Sequence, residues 1–245
     1  MVDRGSARTV RRAVAGGLVL LALVPALAGC SDASEEVPPS GVDELTIPTP
    51  SPDPDDFVTG VDNPWLPFPP GSSLEYDAVG AAGAGRVTVT VGTATQEVAG
   101  VAATTVTTEG PGGTAHTDYY AQDRAGNVWW LGREGEWTAG MAGAQAGLAM
   151  PATPRVGDGF RLGLLDGVME DRAEVQAVDG AVHAPIEGTS GTLDDLVVLD
   201  VSSDLVPGTV AQRFYARRIG LVEARNVEGP VASLTLTRVP DEVAP

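Results

Sequence analysis

The feature that most constrains this chain is the alternation of branched apolar residues with polar ones. Val87-Thr88-Val89-Thr90-Val91 repeats with a period of two, and Leu234-Thr235-Leu236-Thr237 does the same near the other end. In extended chain successive side chains point to opposite faces, so such runs make half-buried strands and not amphipathic helices. Residues 101–109, rich in Val and Thr, predict another strand, and Val197-Val198-Leu199-Asp200-Val201 a more central one. Asp179-Gly180, between two short β-prone runs, predicts a hairpin turn. Only residues 138–150, rich in Ala, Gly and Met, could be helical, and three Gly followed by Pro151 weigh against that. No strand alternates with a long helix, which argues against a parallel α/β sheet.

Residues 71–137 and 157–238 also share a faint pattern. Gly71 through Tyr76 matches Gly157 through Leu162 as turn then strand. Tyr120-Ala121 with Gly126 and Val128 matches Tyr215-Ala216 with Gly220 and Val222. The expected fold is all-β, with little helix. Two related antiparallel meanders share one core as a curved sheet, an open barrel or a sandwich.

Ahead of this body stands a different texture. Arg4, Arg8, Arg11 and Arg12 precede an uncharged apolar run over residues 13–28, in the order of a secretory signal and too short to span a bilayer. Leu27-Ala28-Gly29-Cys30 closes the run and resembles the bacterial lipobox. That resemblance implies that Cys30 is lipid-modified and becomes the mature N-terminus. Residues 1–29 are then a lipoprotein signal peptide, residues 30–62 a disordered tether and residues 63–240 a single extracytoplasmic domain. The tether carries Pro38, Pro39, Pro48, Pro50, Pro52 and Pro54 among many acids and no Arg. Such chain repels itself and extends at up to ~3.1 Å per residue. The expected location is the outer face of the cell membrane, held by the lipid on Cys30.

Charge and residue counts narrow the chemistry. Fifteen Arg and no Lys face 33 acids, a formal net charge of −18, which argues against a nucleic-acid partner. One Cys excludes a disulfide framework. His116 and His183 are the only histidines and show no zinc-ligand spacing, so no metal and no cofactor is expected. Residues 188–191 lack the spacing of a nucleophile elbow, and a P-loop is impossible without Lys. Asp194-Asp195 and Glu170-Asp171 could serve glycan hydrolysis as paired carboxylates, although solvated turns explain them as well.

Three segments carry a further resemblance. They are Asn63-Pro64-Trp65-Leu66-Pro67-Phe68-Pro69-Pro70-Gly71 with Leu74-Glu75-Tyr76, the run from Tyr120 through Asp123, Gly126 and Asn127 to Trp129, and Met150-Pro151-Ala152 with Pro154-Arg155-Val156-Gly157. Together they resemble a group of bacterial secreted and lipid-anchored proteins to which no activity is assigned. The resemblance implies a compartment and a domain extent, and supplies no catalytic residues.

Aromatic residues are the remaining signal. Tyr119, Tyr120, Trp129, Trp130 and Trp137 crowd into one stretch and are the candidate ligand-binding residues. Gly126-Asn127 predicts the turn between them, and each adjacent pair must place one ring on each sheet face. Trp129 is expected to be the buried partner opposite Tyr120, leaving Trp130 as a platform; the rival expectation buries both faces. Three functions fit. The first is a non-enzymatic, lipid-anchored binding or scaffolding domain for an envelope ligand or protein. The second is a carrier or sensor of an apolar ligand in a β half-barrel, and the third a carboxylate-dependent glycan hydrolase.

Overall fold

The period-two runs form strands, and so does most of the remaining fold. The computed structural model describes residues 53–239, apart from Ala82 and residues 187–188. In chain order the strands are β1 (Phe57–Val58), β2 (Ser73–Gly80), β3 (Gly83–Val98), β4 (Val101–Glu109), β5 (Ala115–Asp123), β6 (Val128–Arg133), β7 (Trp137–Thr138) and β8 (Gln145–Met150). After them come β9 (Gly159–Arg161), β10 (Gly163–Leu164), β11 (Asp171–Ile186), β12 (Thr189–Ser203), β13 (Val210–Ala216), β14 (Gly220–Glu228) and β15 (Ser233–Arg238). Two single 3₁₀ turns, Pro54–Asp56 and Pro111–Gly113, complete the described regular structure. The signal, Cys30 and most of the tether lie outside the described residues.

All strands pair antiparallel, in the order β10-β8-β6-β5-β4-β3-β2-β15-β14-β13-β12-β11-β9, with β1 beside β5 and β7 beside β6. The two ends of that path are one short segment. Residues 159–161 pair with β11 and residues 163–164 with β8, on either side of Leu162. The sheet therefore curls into a nearly closed barrel, with a single seam held by a few residue pairs. Each half runs through a short strand, a long hairpin, a second hairpin and a returning strand. Thus β3–β4 answers to β11–β12, β5–β6 to β13–β14, and β8 to β15.

Both long hairpins bend, at a register shift between Val91 and Thr95 and at three shifts between Val175 and Val182. The bend folds each tip over the outer side of the neighbouring hairpin. Val98 and Val101 pack with Tyr119, Ala121 and Leu131, while Val182, Ala184 and Leu196 pack with Phe214 and Ala216. Strand faces that would otherwise meet water are thereby buried.

Three expectations change. Asp179-Gly180 is not a hairpin turn but part of the bulged bend, because β11 runs on to Ile186. A Cβ at Gly180 would collide with Cγ2 of Val198, so the close approach of β12 explains the glycine. Residues 138–150 hold no helix. Gly140, Ala142 and Gly143 take positive φ and turn the chain into β8. Strand pairing also reaches into the expected tether ahead of Asn63, since Phe57 and Val58 pair with Asp123 and Gln122.

Candidate ligand-binding cup

Cross-strand register decides which side chains face the interior. Val106 lies opposite Asp118, which lies opposite Arg133; Thr104 lies opposite Tyr120, which lies opposite Trp130. On β13 the alternate residues Ala211, Arg213 and Tyr215 face inward as well. These positions line a cavity of about 680 Å³ with walls from both halves, the size of a site for a drug-sized ligand.

The chain that precedes β2 closes one end. Val61 and Trp65 are buried in the main core, and Leu66, Pro67 and Phe68 face the cavity. Asn63, 2% exposed, fastens this segment. Its Oδ1 accepts from the backbone N–H of Trp65 at 2.8 Å and of Leu66 at 3.2 Å. Its Nδ2 donates to the carbonyls of Gly126 at 2.8 Å and Pro151 at 3.3 Å. Gln122 Oε1 accepts the N–H groups of Asp62 and Asn63, and Ala152 N–H donates to Asn127 Oδ1. The turn of the other half joins in. Arg218 N–H donates to the Pro64 carbonyl at 2.7 Å, and the Arg217 guanidinium lies 4.3 Å from the Trp65 ring centre. All three segments that resemble the secreted group thus meet in one polar knot at the base. It satisfies buried backbone groups.

At the other end the cavity reaches Val168, Leu205 and Val206, apolar rim residues that are 49%, 42% and 55% exposed. Polar groups enter the wall below the rim. Asp118, 5% exposed, accepts from Arg133 Nε at 2.8 Å and Nη2 at 3.2 Å, and from Trp130 Nε1 at 3.2 Å. His116 Nε2 stands 3.5 Å from its second oxygen. Burial opposes the charge on Arg133, but the hydrogen bond and field of Asp118 outweigh it and the guanidinium pKa is raised. Beneath this cluster the rings stack. Phe68 lies 4.8 Å from Tyr120, Tyr120 lies 6.3 Å from Trp130 in near-parallel planes, and Trp130 meets Trp137 edge-on at 5.1 Å.

Of the five expected aromatic residues, Tyr120, Trp130 and Trp137 gather around the cavity. Tyr119 and Trp129 do not, because they project from the outer side of the same strands. Trp129 lies opposite Ala121 and not Tyr120. Both β6 tryptophans are half-buried. The Asp123 carboxylate sets the turn, accepting from Asn127 N–H, Asn127 Nδ2 and Trp129 Nε1 at 2.8–2.9 Å, while Trp129 packs edge-on to Phe57. Sequence reasoning missed Asp118, Arg133, Phe68, Arg213 and Tyr215. The available signal was a charged residue at an inward strand position, as with Arg213 between Ala211 and Tyr215. Asp194 and Asp195 are exposed, and Glu170 accepts the Gly167 N–H at 2.7 Å as a turn residue.

Burial raises the pKa of Tyr76 and Tyr120 well beyond that of free tyrosine, and raises Tyr119 through burial and then Glu134. In the unfolded chain these hydroxyls ionise near pH 10, whereas in the fold they stay protonated. Their contribution to stability is complete below about pH 10 and is lost as the pH climbs above it. In an alkaline titration, tyrosinate absorbance from these residues should rise together with unfolding. A full tyrosinate signal from the still-folded protein would contradict their burial.

Fold and cavity together define a class: an antiparallel β-barrel cup, closed at its base by its own N-terminal segment. No protein-family model and no curated protein matches the chain. Among solved structures it is similar to a Bacteroides fragilis protein named as exported with a YmcC-like fold, at 13% identity and a TM-score of 0.42. The overlap covers 72% of this chain and 99% of that one. It is also similar to a protein named as a lipoprotein from Parabacteroides distasonis, at 11% identity and a TM-score of 0.39, over 71% of this chain and 97% of that one. Likeness this loose says nothing of activity. Among the described residues no helix is long and apolar enough to cross a membrane.

Proposed function

We propose that this chain is a lipid-anchored, extracytoplasmic binding domain, not an enzyme, whose barrel holds an apolar or amphipathic ligand. The observation that carries the reading is the cavity of about 680 Å³, which runs from the apolar rim to the Leu66–Phe68 base between walls from both halves. A small domain gains stability by filling its core, so an apolar lumen of this size is the feature a ligand would use. Asp118 is bound on both oxygens, which suits a fixed structural charge better than an acid or base in turnover. Cys30 and the acidic tether supply the anchor and its reach.

The test has two arms. Cys30→Ser should move the protein out of the membrane fraction; a processed variant retained there at the wild-type level would contradict the anchor. The chain from Ser31 onward should change its tryptophan fluorescence saturably when dodecanol is added, and Trp130→Phe should remove most of that change. An unchanged spectrum, or the same response in Trp130→Phe, would contradict the binding cup.

A further inference from the structure

The arginines of the domain divide sharply by partner. Arg86, Arg124, Arg133, Arg172, Arg225 and Arg238 each pair with a carboxylate, and Arg217 covers Trp65. Arg155, Arg161 and Arg218 are exposed, where water serves the guanidinium. Arg213 is the exception. It is half-buried and lines the cavity, and its guanidinium makes no hydrogen bond or ion pair with any described residue. In a chain with more than twice as many acids as arginines, an inward guanidinium without a carboxylate is chemically conspicuous. Its strand neighbours, Leu199 on β12 and Ala224 on β14, give it nothing to bind.

Two hydroxyls look into the same space. Neither Tyr120 nor Tyr215 makes a hydrogen bond through its hydroxyl among the described residues, yet no fully enclosed side-chain polar atom is left unpaired. Both hydroxyls therefore open on the lumen that their rings line. Tyr120 on β5 and Tyr215 on β13 come from opposite halves, and Tyr120 feels the charge of Arg213 and the presence of Tyr215. Asp118, nearby in the wall, is already neutralised by Arg133. Glu136 and Asp171 also line the cavity, Glu136 exposed and Asp171 half-buried.

We infer that the cup selects a single-chain amphiphile with an anionic head, which pairs with the Arg213 guanidinium and accepts hydrogen bonds from the Tyr120 and Tyr215 hydroxyls. The apolar body lies against Phe68, Trp130, Leu221 and Leu234. A planar guanidinium fits carboxylate or phosphate through two parallel hydrogen bonds, so the head can be either. The acidic exterior repels free anions, and the apolar tail supplies the drive for entry that a bare anion lacks. This inference rests on the proposed binding function and adds its ligand class.

Dodecanoate, dodecyl phosphate and dodecanol, titrated into the chain from Ser31 onward by calorimetry, test it. Wild-type protein should bind at least one anionic probe about tenfold or more tightly than dodecanol. The better of dodecanoate and dodecyl phosphate identifies the head. Arg213→Gln should lose that preference and bind dodecanol as wild type does, whereas Arg213→Lys should keep most of it. Tyr120→Phe, which removes only the hydroxyl, should reduce it. Equal affinity for all three probes in the wild type would overturn the anionic head and leave the binding cup standing. No binding of any probe would overturn both. Should Arg213→Gln fail to fold, Tyr120→Phe and the wild-type comparison decide the matter, and an undiminished preference in Tyr120→Phe together with Arg213→Lys binding like dodecanol alone would contradict the assignment.

Discussion

Asn63→Ala should cost about 3–5 kcal/mol of stability, because it removes the side-chain partner of four backbone groups at once, of which the Trp65 N–H and the Pro151 carbonyl are bonded to it in buried surroundings. For a domain of this size that corresponds to a thermal midpoint lower by about 10 °C. The damage should also be directional. The base segment over residues 61–71 should lose amide protection first, and ligand affinity should fall with it, since Leu66 and Phe68 form the floor of the cavity. A midpoint within about 3 °C of wild type would mean that burial of Trp65 alone holds the base.

Gly147→Ala should damage the barrel at its seam. Gly147 on β8 sits directly beneath the segment that joins β11 to β8, and an added Cβ would overlap the backbone of Leu162 and Gly163 and lie 2.5 Å from the Arg161 carbonyl oxygen. None of these is a side-chain tip that can swing away. The seam must therefore part, at a cost of about 3 kcal/mol or more. Amide exchange should rise first in residues 159–164. Exchange that rises evenly over the whole barrel would contradict a locally weak seam.

The strands were legible because period two is a local signal. Ala99-Gly100 forms the tight turn between β3 and β4, with φ of 52° and 81°, and Gly126 takes a φ of 91° in the aromatic hairpin. What stayed hidden depends on distant neighbours. Asp179-Gly180 has the composition of a turn, yet Val198 across the sheet makes it a bulge. Tyr119 sits on what would be a wet face, and only the bent tip of β3–β4, carrying Val98 and Val101, covers it. Trp129 could not be assigned a face from sequence, since a one-residue shift between Tyr119 and Tyr120 sets which tryptophan meets Tyr120. The polar knot was visible as three separate segments, but Asn63 meets Gly126 and Pro151 across 63 and 88 residues of chain. Arg213 was hidden for a related reason: an inward arginine and an outward one look alike until the register of β13 is fixed.

A binding cavity and a packing defect differ in whether the native protein carries a ligand. Native mass spectrometry of the protein purified from its own host tests this most directly, with Ala211→Trp as the companion. Ala211 faces the lumen from β13, and an indole there would occupy the space a ligand needs. The wild-type chain should carry one small amphiphile per molecule, lost on denaturation, and Ala211→Trp should be folded and empty. A wild-type chain with no bound molecule, or equal loading of both proteins, would contradict the account.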